Sequence, residues 1–492
     1  MKARRWSWLG LLVTALFLGA YLWFMVDRYL QPGSHQRPFN TLDFAILTVC
    51  FSLLLILLYR TLKWGGLFVG MAAGGLHLIA VVPYFALVDE SAHFAYVHEV
   101  ATHHRIPTVD QPTPDVILAL GEHVYPHAPR RVAKELGLAG CMYEAMHPPL
   151  YYLCASLIYL ALPFSPIVKI YALRLAGLFL FLTVLALLLR LRPILQAGGK
   201  DDFLFYTILA AFTLTPGILL RMCTVSNFHL SFLFCVLFFS MLYRAIMEQK
   251  EPTLAWAAGF GLITGAAIGT HFFNLFLAVI GALFLASRHQ IKRIPLYGAG
   301  CGVFIAPWLA FNFHHYHQMT GWKIVYDRML DIVNPQRQPY TLRMVVDQIP
   351  HRFFYFFWNA EESRQDWFLT RGAVFFLSVL LALAAGMAFI RGIRALRSKD
   401  ALTEVERFSI LAIALNFGLL VHISLSQSVP ALLGRYLFSS LPACIFLVHR
   451  LLSPAPPRVR TVLAILILVS AAMIWNDLWI QGVLYQLQTG HG

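Results

Sequence analysis

Apolar runs recur along the chain with centres near residues 16, 51, 77, 156, 179, 211, 237, 262, 279, 303, 381, 416, 442 and 470, and the links between most of them are short and basic. About 20 apolar residues in a helix, rising ~1.5 Å each, cross roughly 30 Å of hydrocarbon. More than ten of these runs approach that length, so the pattern predicts an all-α, polytopic membrane protein. No internal sequence repeat is visible, and neither half carries the paired broken helices of an inverted-repeat transporter.

Basic residues beside a span resist translocation, and that decides which runs cross. With Lys2, Arg4 and Arg5 inside, three helices place Arg60 and Lys63 inside and the segment beginning at Asp89 outside. If the run 149–163 lies along the interface or re-enters, the clusters around Arg190, Arg244, Arg288, Arg391 and Arg450 all fall inside. That threading gives about 13 crossings, an internal N-terminus and an external C-terminus. It leaves two long external loops, 88–148 and 312–371, rich in acids and histidines. The chain then divides into N-terminal helices over 1–65, a core over 66–311 containing the first loop, the second loop over 312–371, and C-terminal helices over 372–492.

Composition excludes a soluble enzyme: 59% of the 492 residues are apolar and only 13% charged, with a mean hydropathy of +0.67. The net charge of +14 is dispersed in small clusters between apolar runs, so it speaks for topology and against nucleic acid. The seven cysteines include no C-x-x-C pair and read as packing residues, with Cys141 the one candidate for a disulfide. The opening basic residues followed by Trp6–Val26 resemble a signal sequence, but Asp27-Arg28 follows with no small-x-small site, which favours an uncleaved first helix.

The sharpest local feature is Val88-Asp89-Glu90-Ser91-Ala92-His93, where two adjacent carboxylates and a histidine one turn later arrive at the end of the third helix. Charge at a membrane boundary is costly unless it is used or solvated. The structural alternative is a helix cap with Asp89 and Glu90 facing water. Further on come Tyr143-Glu144-Ala145-Met146-His147-Pro148-Pro149-Leu150-Tyr151-Tyr152, then Ala172-Leu173-Arg174, Thr224-Val225-Ser226-Asn227, Gly269-Thr270-His271, Ala306-Pro307-Trp308 with Asn312, Phe356-Phe357-Trp358, and Gly434-Arg435-Tyr436-Leu437-Phe438.

The order of these elements, over roughly residues 70–445, resembles the GT-C superfamily of membrane glycosyltransferases, which includes protein O-mannosyltransferases and the lipid A aminoarabinose transferase. Gly434-Arg435-Tyr436-Leu437-Phe438 is also similar to a motif of an uncharacterised bacterial family related to GT-C enzymes. Two positions depart from the usual pattern: Asn227 has no acidic neighbour, and His271 stands where a lysine is common. Two additional helices also precede the Asp-Glu motif.

The resemblance implies a multi-pass protein of the bacterial inner (plasma) membrane with its site facing the periplasm. It would transfer a sugar from an undecaprenyl- or other polyprenyl-phosphate carrier to a glycan, lipid or protein acceptor, with inversion. Asp89 is the expected base, its pKa raised by the hydrocarbon edge, with Glu90 second and His93 assisting. Arg174, Arg435 and His271 are the expected partners of the phosphate, and His147, Asn227 and Tyr436 complete the substrate-binding set. No cofactor is required, although the family admits a divalent ion bound through Asp89, Glu90 or His147. The cluster Phe313-His314-His315-Tyr316-His317 is a poor metal site, because adjacent histidines diverge. Simpler roles stand beside these: snorkelling for Arg174 and Arg435, satisfaction of a helix end for Asn227, and a neutral buried imidazole for His271. Two other functions fit the same features, a lipid-linked sugar transporter or flippase and a catalytically silent structural subunit of an envelope assembly.

Overall fold

A computed structural model describes residues 41–82, 85, 89–124, 142–196, 201–249, 251–322, 324, 341–349, 368–394, 400–427 and 434–477. The proposed first helix Trp6–Val26, Cys141 and the Phe356-Phe357-Trp358 element lie outside these residues. Among the described residues the regular structure is helical, with no strand.

The principal helices are α1 (Thr41–Leu62), α2 (Trp64–Val81), α3 (Glu90–His103), α4 (Leu150–Ala161), α5 (Pro166–Arg190), α6 (Asp202–Thr213), α7 (Pro216–Met222), α8 (Phe228–Glu248), α9 (Leu254–Thr270), α10 (Phe276–Ser287), α11 (Ile294–Tyr316), α12 (Phe368–Arg394), α13 (Ala401–Gln427), α14 (Leu441–Leu452) and α15 (Pro457–Asp477). Six helical segments are long and apolar enough to cross a membrane: Pro166–Arg190, Phe228–Glu248, Ile291–Tyr316, Arg371–Arg391, Ala401–Ser426 and Pro457–Asn476. The 12 residues of α4 rise about 18 Å, less than a hydrocarbon core. The run centred near residue 211 is divided. Pro216 disfavours helical geometry at Thr215, which is extended at φ −65° and ψ 145°, and α7 begins anew after it.

The last helix closes the bundle, packing on α1, α6 and α12. Trp475 stacks on Phe51 at 5.4 Å, and Asn476 donates to the Thr48 hydroxyl. Helices α9 and α11 approach closely because small residues recur on both. A Cβ at Gly265 would lie 2.5 Å from the Cys301 carbonyl oxygen, and one at Gly300 would lie 2.7 Å from that of Ala258. Such stripes of small residues allow dispersion contacts between backbones in lipid, where no hydrophobic force drives helices together. Gly265→Val is therefore expected to cost about 3 kcal/mol, read as a lower melting temperature in detergent. Gly302→Ala, on the partner helix α11 but facing open space, should leave stability unchanged or slightly raised.

The helices separate two kinds of chemistry. Helix α5 carries Arg174 in its N-terminal half and Arg190 at its end. At the Arg190 end gather the ion pairs Arg192–Asp202 (3.6 Å), Arg288–Glu404 (2.8 Å), Arg391–Glu406 (2.6 Å) and Arg460–Asp201 (3.1 Å). The opposite end holds the acids and histidines described next. Of the cysteines, Cys223, Cys235, Cys301 and Cys444 are buried packing residues, Cys50 is partly buried and Cys154 is exposed, all as free thiols.

Candidate functional site

Asp89 opens α3 with a left-handed backbone, φ 72° and ψ −12°, and its side chain makes no capping hydrogen bond. A non-glycine residue in that region stores strain, which is typical of functional sites. Its carboxylate instead accepts the Tyr143 hydroxyl on Oδ1 at 2.7 Å and meets Nη2 of Arg435 on Oδ2 at 3.4 Å. The side chain is 19% exposed. Burial alone pushes this carboxyl up, but the charges of Arg435 and Arg221, with the Tyr143 hydrogen bond, outweigh it and hold Asp89 below the usual carboxylate range. The expected rise is corrected: desolvation is real here, and nearby cations exceed it.

Glu90 points the other way, into the bundle. Its Oε1 accepts from Arg174 Nε at 2.7 Å and from the Val225 amide at 2.9 Å. Oε2 accepts from Arg174 Nη2 at 2.6 Å and from the Phe85 amide at 3.0 Å. Arg174 Nη1 also donates to the Val82 carbonyl at 2.7 Å, and its side chain is fully buried. Glu90 is thus neither solvated nor available as a second base, and Arg174 neither snorkels nor offers its guanidinium to a phosphate. Two fork-shaped groups satisfy each other and bind α2, α3, α5 and the chain before α8 into one unit.

A third carboxylate, absent from the expected set, occupies the middle of the site. Glu144 stands on a 3₁₀ turn over Tyr143–Met146, where residues three apart eclipse. This places its Oε2 3.3 Å from His147 Nε2. The same oxygen lies 3.4 Å from His93 Nδ1 and 3.4 Å from the Tyr152 hydroxyl, which in turn is 2.8 Å from His93 Nδ1. Burial, followed by the charge of Asp89, pushes the Glu144 carboxyl well above the usual range. Burial likewise pushes His93 down, and His147 down to about 3. Both shifts favour the uncharged forms, the protonated acid and the neutral imidazoles. The sequence signal for Glu144 was its i, i+3 spacing from His147.

The linkage has a definite sign. A carboxyl whose folded pKa is raised binds a proton that the unfolded chain has released, so its contribution to stability falls as pH rises from about 4.5 towards the folded value. Glu144→Gln removes that loss while preserving shape. Thermal melts at pH 5 and pH 8 should show a smaller decline with pH in Glu144→Gln than in wild type.

The remaining expected residues converge on this group from the ends of other helices. His271, extended after α9, packs its ring 5.0 Å from His147, 4.9 Å from Phe228 and 5.5 Å from Tyr436. Trp322 stands edge-on to His147 at 5.3 Å. Arg435 lies over the Tyr436 ring at 5.3 Å and its Nη2 is 3.4 Å from the Tyr436 hydroxyl. Asn227, 1% exposed, precedes α8 without capping it, and both of its amide atoms lack hydrogen-bond partners. Arg221, on α7, is 6% exposed and close enough to act on Asp89 and His93. An arginine within Ile218-Leu219-Leu220-Arg221-Met222 was the sequence's own pointer to it.

Asp89, Glu90 and His147 do not form a donor set for a divalent ion, because both carboxylates are turned to different cations and His147 Nε2 faces Glu144. Among the described residues no cluster of three or more His, Cys, Asp or Glu side chains is arranged to hold a metal. His314 and His315 are exposed, with rings at 84° to each other. The chain matches no known family model, no curated protein and no solved structure.

Proposed function

We propose that the protein is an inverting membrane glycosyltransferase of GT-C type, taking sugar from a polyprenyl-phosphate carrier. The threading that goes with this reading has about 13 crossings, the segments 88–148 and 312–371 outside, and the Asp89 cluster facing the periplasm of a bacterial inner membrane. The observation that carries the reading is the pairing of an ionised, oriented Asp89 with two guanidiniums in one polar cluster. A sugar–phosphate displacement needs both a proton acceptor and a cationic site for the departing charge.

In the reaction, an acceptor hydroxyl donates a hydrogen bond to Asp89 and attacks the anomeric carbon. As the new C–O bond forms, the hydroxyl proton passes to Asp89. The bond from the anomeric carbon to the phosphate oxygen breaks, and its electron pair stays with that oxygen. Arg435 and Arg221 face the resulting charge, the role that Arg174 cannot take. Tyr143 and Arg435 orient Asp89, and the Glu144 cluster shapes the acceptor side without adding charge.

Mass spectrometry of envelope glycans and lipid-linked sugars from cells with and without the gene tests the reading. Deletion should remove one sugar from an envelope component and raise the level of its polyprenyl-phosphate ester on the outer leaflet. Accumulation confined to the inner leaflet would favour a flippase. An unchanged glycan and lipid profile would count against both.

A further inference from the structure

A cavity of about 470 Å³ lies between the C-terminal end of α3 and the helix α4, and shares no residue with the Asp89 cluster. Its apolar wall is Val100, Ile106, Leu153, Leu157 and Leu160, and its polar members include His104 and Arg105. The wall follows from how α4 packs. Tyr152 and Tyr159 turn inward onto Tyr96 and His98 of α3, which leaves Leu153, Leu157 and Leu160, at helical spacing, 43%, 67% and 53% exposed. In the chain this exposed apolar stripe continues through Phe164 and Val168 to Leu175 and Phe179, on a helix long and apolar enough to cross a membrane. The other side of the cavity is cationic. Helix α3 stops at His104, whose backbone is left-handed at φ 52°, and the Arg105 side chain that follows is 56% exposed. Glu99, buried beside them, meets His103 at 3.1 Å and Arg105 Nη2 at 3.4 Å; the guanidinium has five donors, so this contact uses only part of it. Lys169 lies over the Tyr159 ring at 3.8 Å and acts with Glu99 and His103 on His98. Two fixed cations, Arg105 and Lys169, therefore stand here with the single carboxylate of Glu99.

We infer that this groove binds an anionic glycerophospholipid of the surrounding bilayer, with its phosphate on Arg105 and an acyl chain along Leu153, Leu157 and Leu160. The site is separate from Asp89 and does not depend on the transferase reading. A cavity of this size, mostly apolar with a few placed polar groups, has the make-up of a small-molecule site. Its two chemistries select the occupant together. A guanidinium meets two phosphate oxygens with parallel N–H donors, while the leucine stripe removes methylenes from water. A soluble anion would leave the leucines uncovered, and a wholly apolar ligand would leave the charge of Arg105 unused. A zwitterionic head would bring its ammonium towards Arg105 and Lys169, so net negative charge is preferred, as at other basic pockets between membrane helices. The continuity of the leucine stripe with the exposed face of a spanning helix selects a bilayer lipid over a soluble protein partner.

Cys154, an exposed free thiol on the cavity lining, reports occupancy of the groove directly. Purified full-length protein in detergent micelles is treated with N-ethylmaleimide, and modification of the Cys154 peptide is followed by mass spectrometry. The added probes are dioleoyl phosphatidylglycerol, dioleoyl phosphatidylcholine, undecaprenyl phosphate and glycerol 3-phosphate. Native mass spectrometry of the same mixtures ranks the affinity of each lipid. Phosphatidylglycerol should slow Cys154 modification at least fivefold and bind at least tenfold more tightly than phosphatidylcholine or undecaprenyl phosphate, and glycerol 3-phosphate should have no effect. Arg105→Gln, at an exposed position, should bring phosphatidylglycerol down to the level of phosphatidylcholine in both measurements; should that variant fail to fold, the wild-type rankings decide. Equal protection by phosphatidylcholine overturns the inference, because the head is then not selected. Stronger protection by undecaprenyl phosphate overturns it by giving the groove to a polyprenyl lipid. Absence of any protection, or protection by phosphatidylglycerol that survives Arg105→Gln, overturns it as well.

Discussion

Asp89→Asn is expected to lower sugar transfer by about 10²- to 10⁴-fold, the usual cost of losing a positioned base. The fold should survive, because asparagine is among the few side chains that accept the left-handed backbone found at position 89. The amide oxygen can still accept the Tyr143 hydroxyl. What is lost is the proton acceptor and one 3.4 Å contact with Arg435 at a partly exposed mouth, about 1 kcal/mol of stability. Donor affinity should change little, since in the proposed reaction the phosphate is met by Arg435 and Arg221. The downward displacement of the Asp89 pKa adds a second expectation: the carboxylate stays ionised across ordinary pH, so kcat/KM should show no fall between pH 8 and pH 5 attributable to it. Transfer within a few-fold of wild type by stable Asp89→Asn protein would end its assignment as the base. His93, four residues along the same helix, would then be next, because Glu90 is already held by Arg174.

The helical class was legible because apolar length is a direct physical requirement of a bilayer, and the positions of most helices follow the hydrophobic runs. Six helical segments meet the length of a span by themselves; the break at His271 falls between the runs centred near 262 and 279, whereas the one at Thr215 was hidden, since apolar composition does not report where a helix unwinds. Convergence of Asp89, His93, His147, His271, Arg435 and Tyr436 matches the order of motifs along the chain. The division of labour inside Asp89-Glu90 was not legible. Adjacent residues at the start of a helix point about 100° apart, so one faces Tyr143 and Arg435 and the other the bundle, and only packing decides which. Arg174 and Arg435 looked equivalent in sequence for the same reason, although one is fully buried against Glu90 and the other lies against the partly exposed Asp89. His271 brings no fixed charge to the site and packs against the rings of His147, Phe228 and Tyr436.

Breaking the Glu90–Arg174 pair should have the largest effect on stability. Both side chains are fully buried and meet through two charge-assisted hydrogen bonds of 2.7 and 2.6 Å. Removing one partner leaves a charge with no water to solvate it, a loss of about 3–5 kcal/mol. Glu90→Gln also weakens the hydrogen bonds to the Val225 and Phe85 amides, so α3 and the chain before α8 should loosen together. Arg174→Gln should cost a similar amount by stranding the carboxylate. Because the two groups act as one, the double variant should be much less destabilised than the sum of the singles, a coupling that a double-mutant cycle of melting temperatures reads directly. The same cycle separates a structural Arg174 from a phosphate-binding one. If Arg174→Gln protein melts like wild type but loses affinity for the polyprenyl-phosphate donor, the arginine serves the ligand. Lowered stability with strong coupling to Glu90, and unchanged donor affinity in the fraction that folds, is the expected outcome.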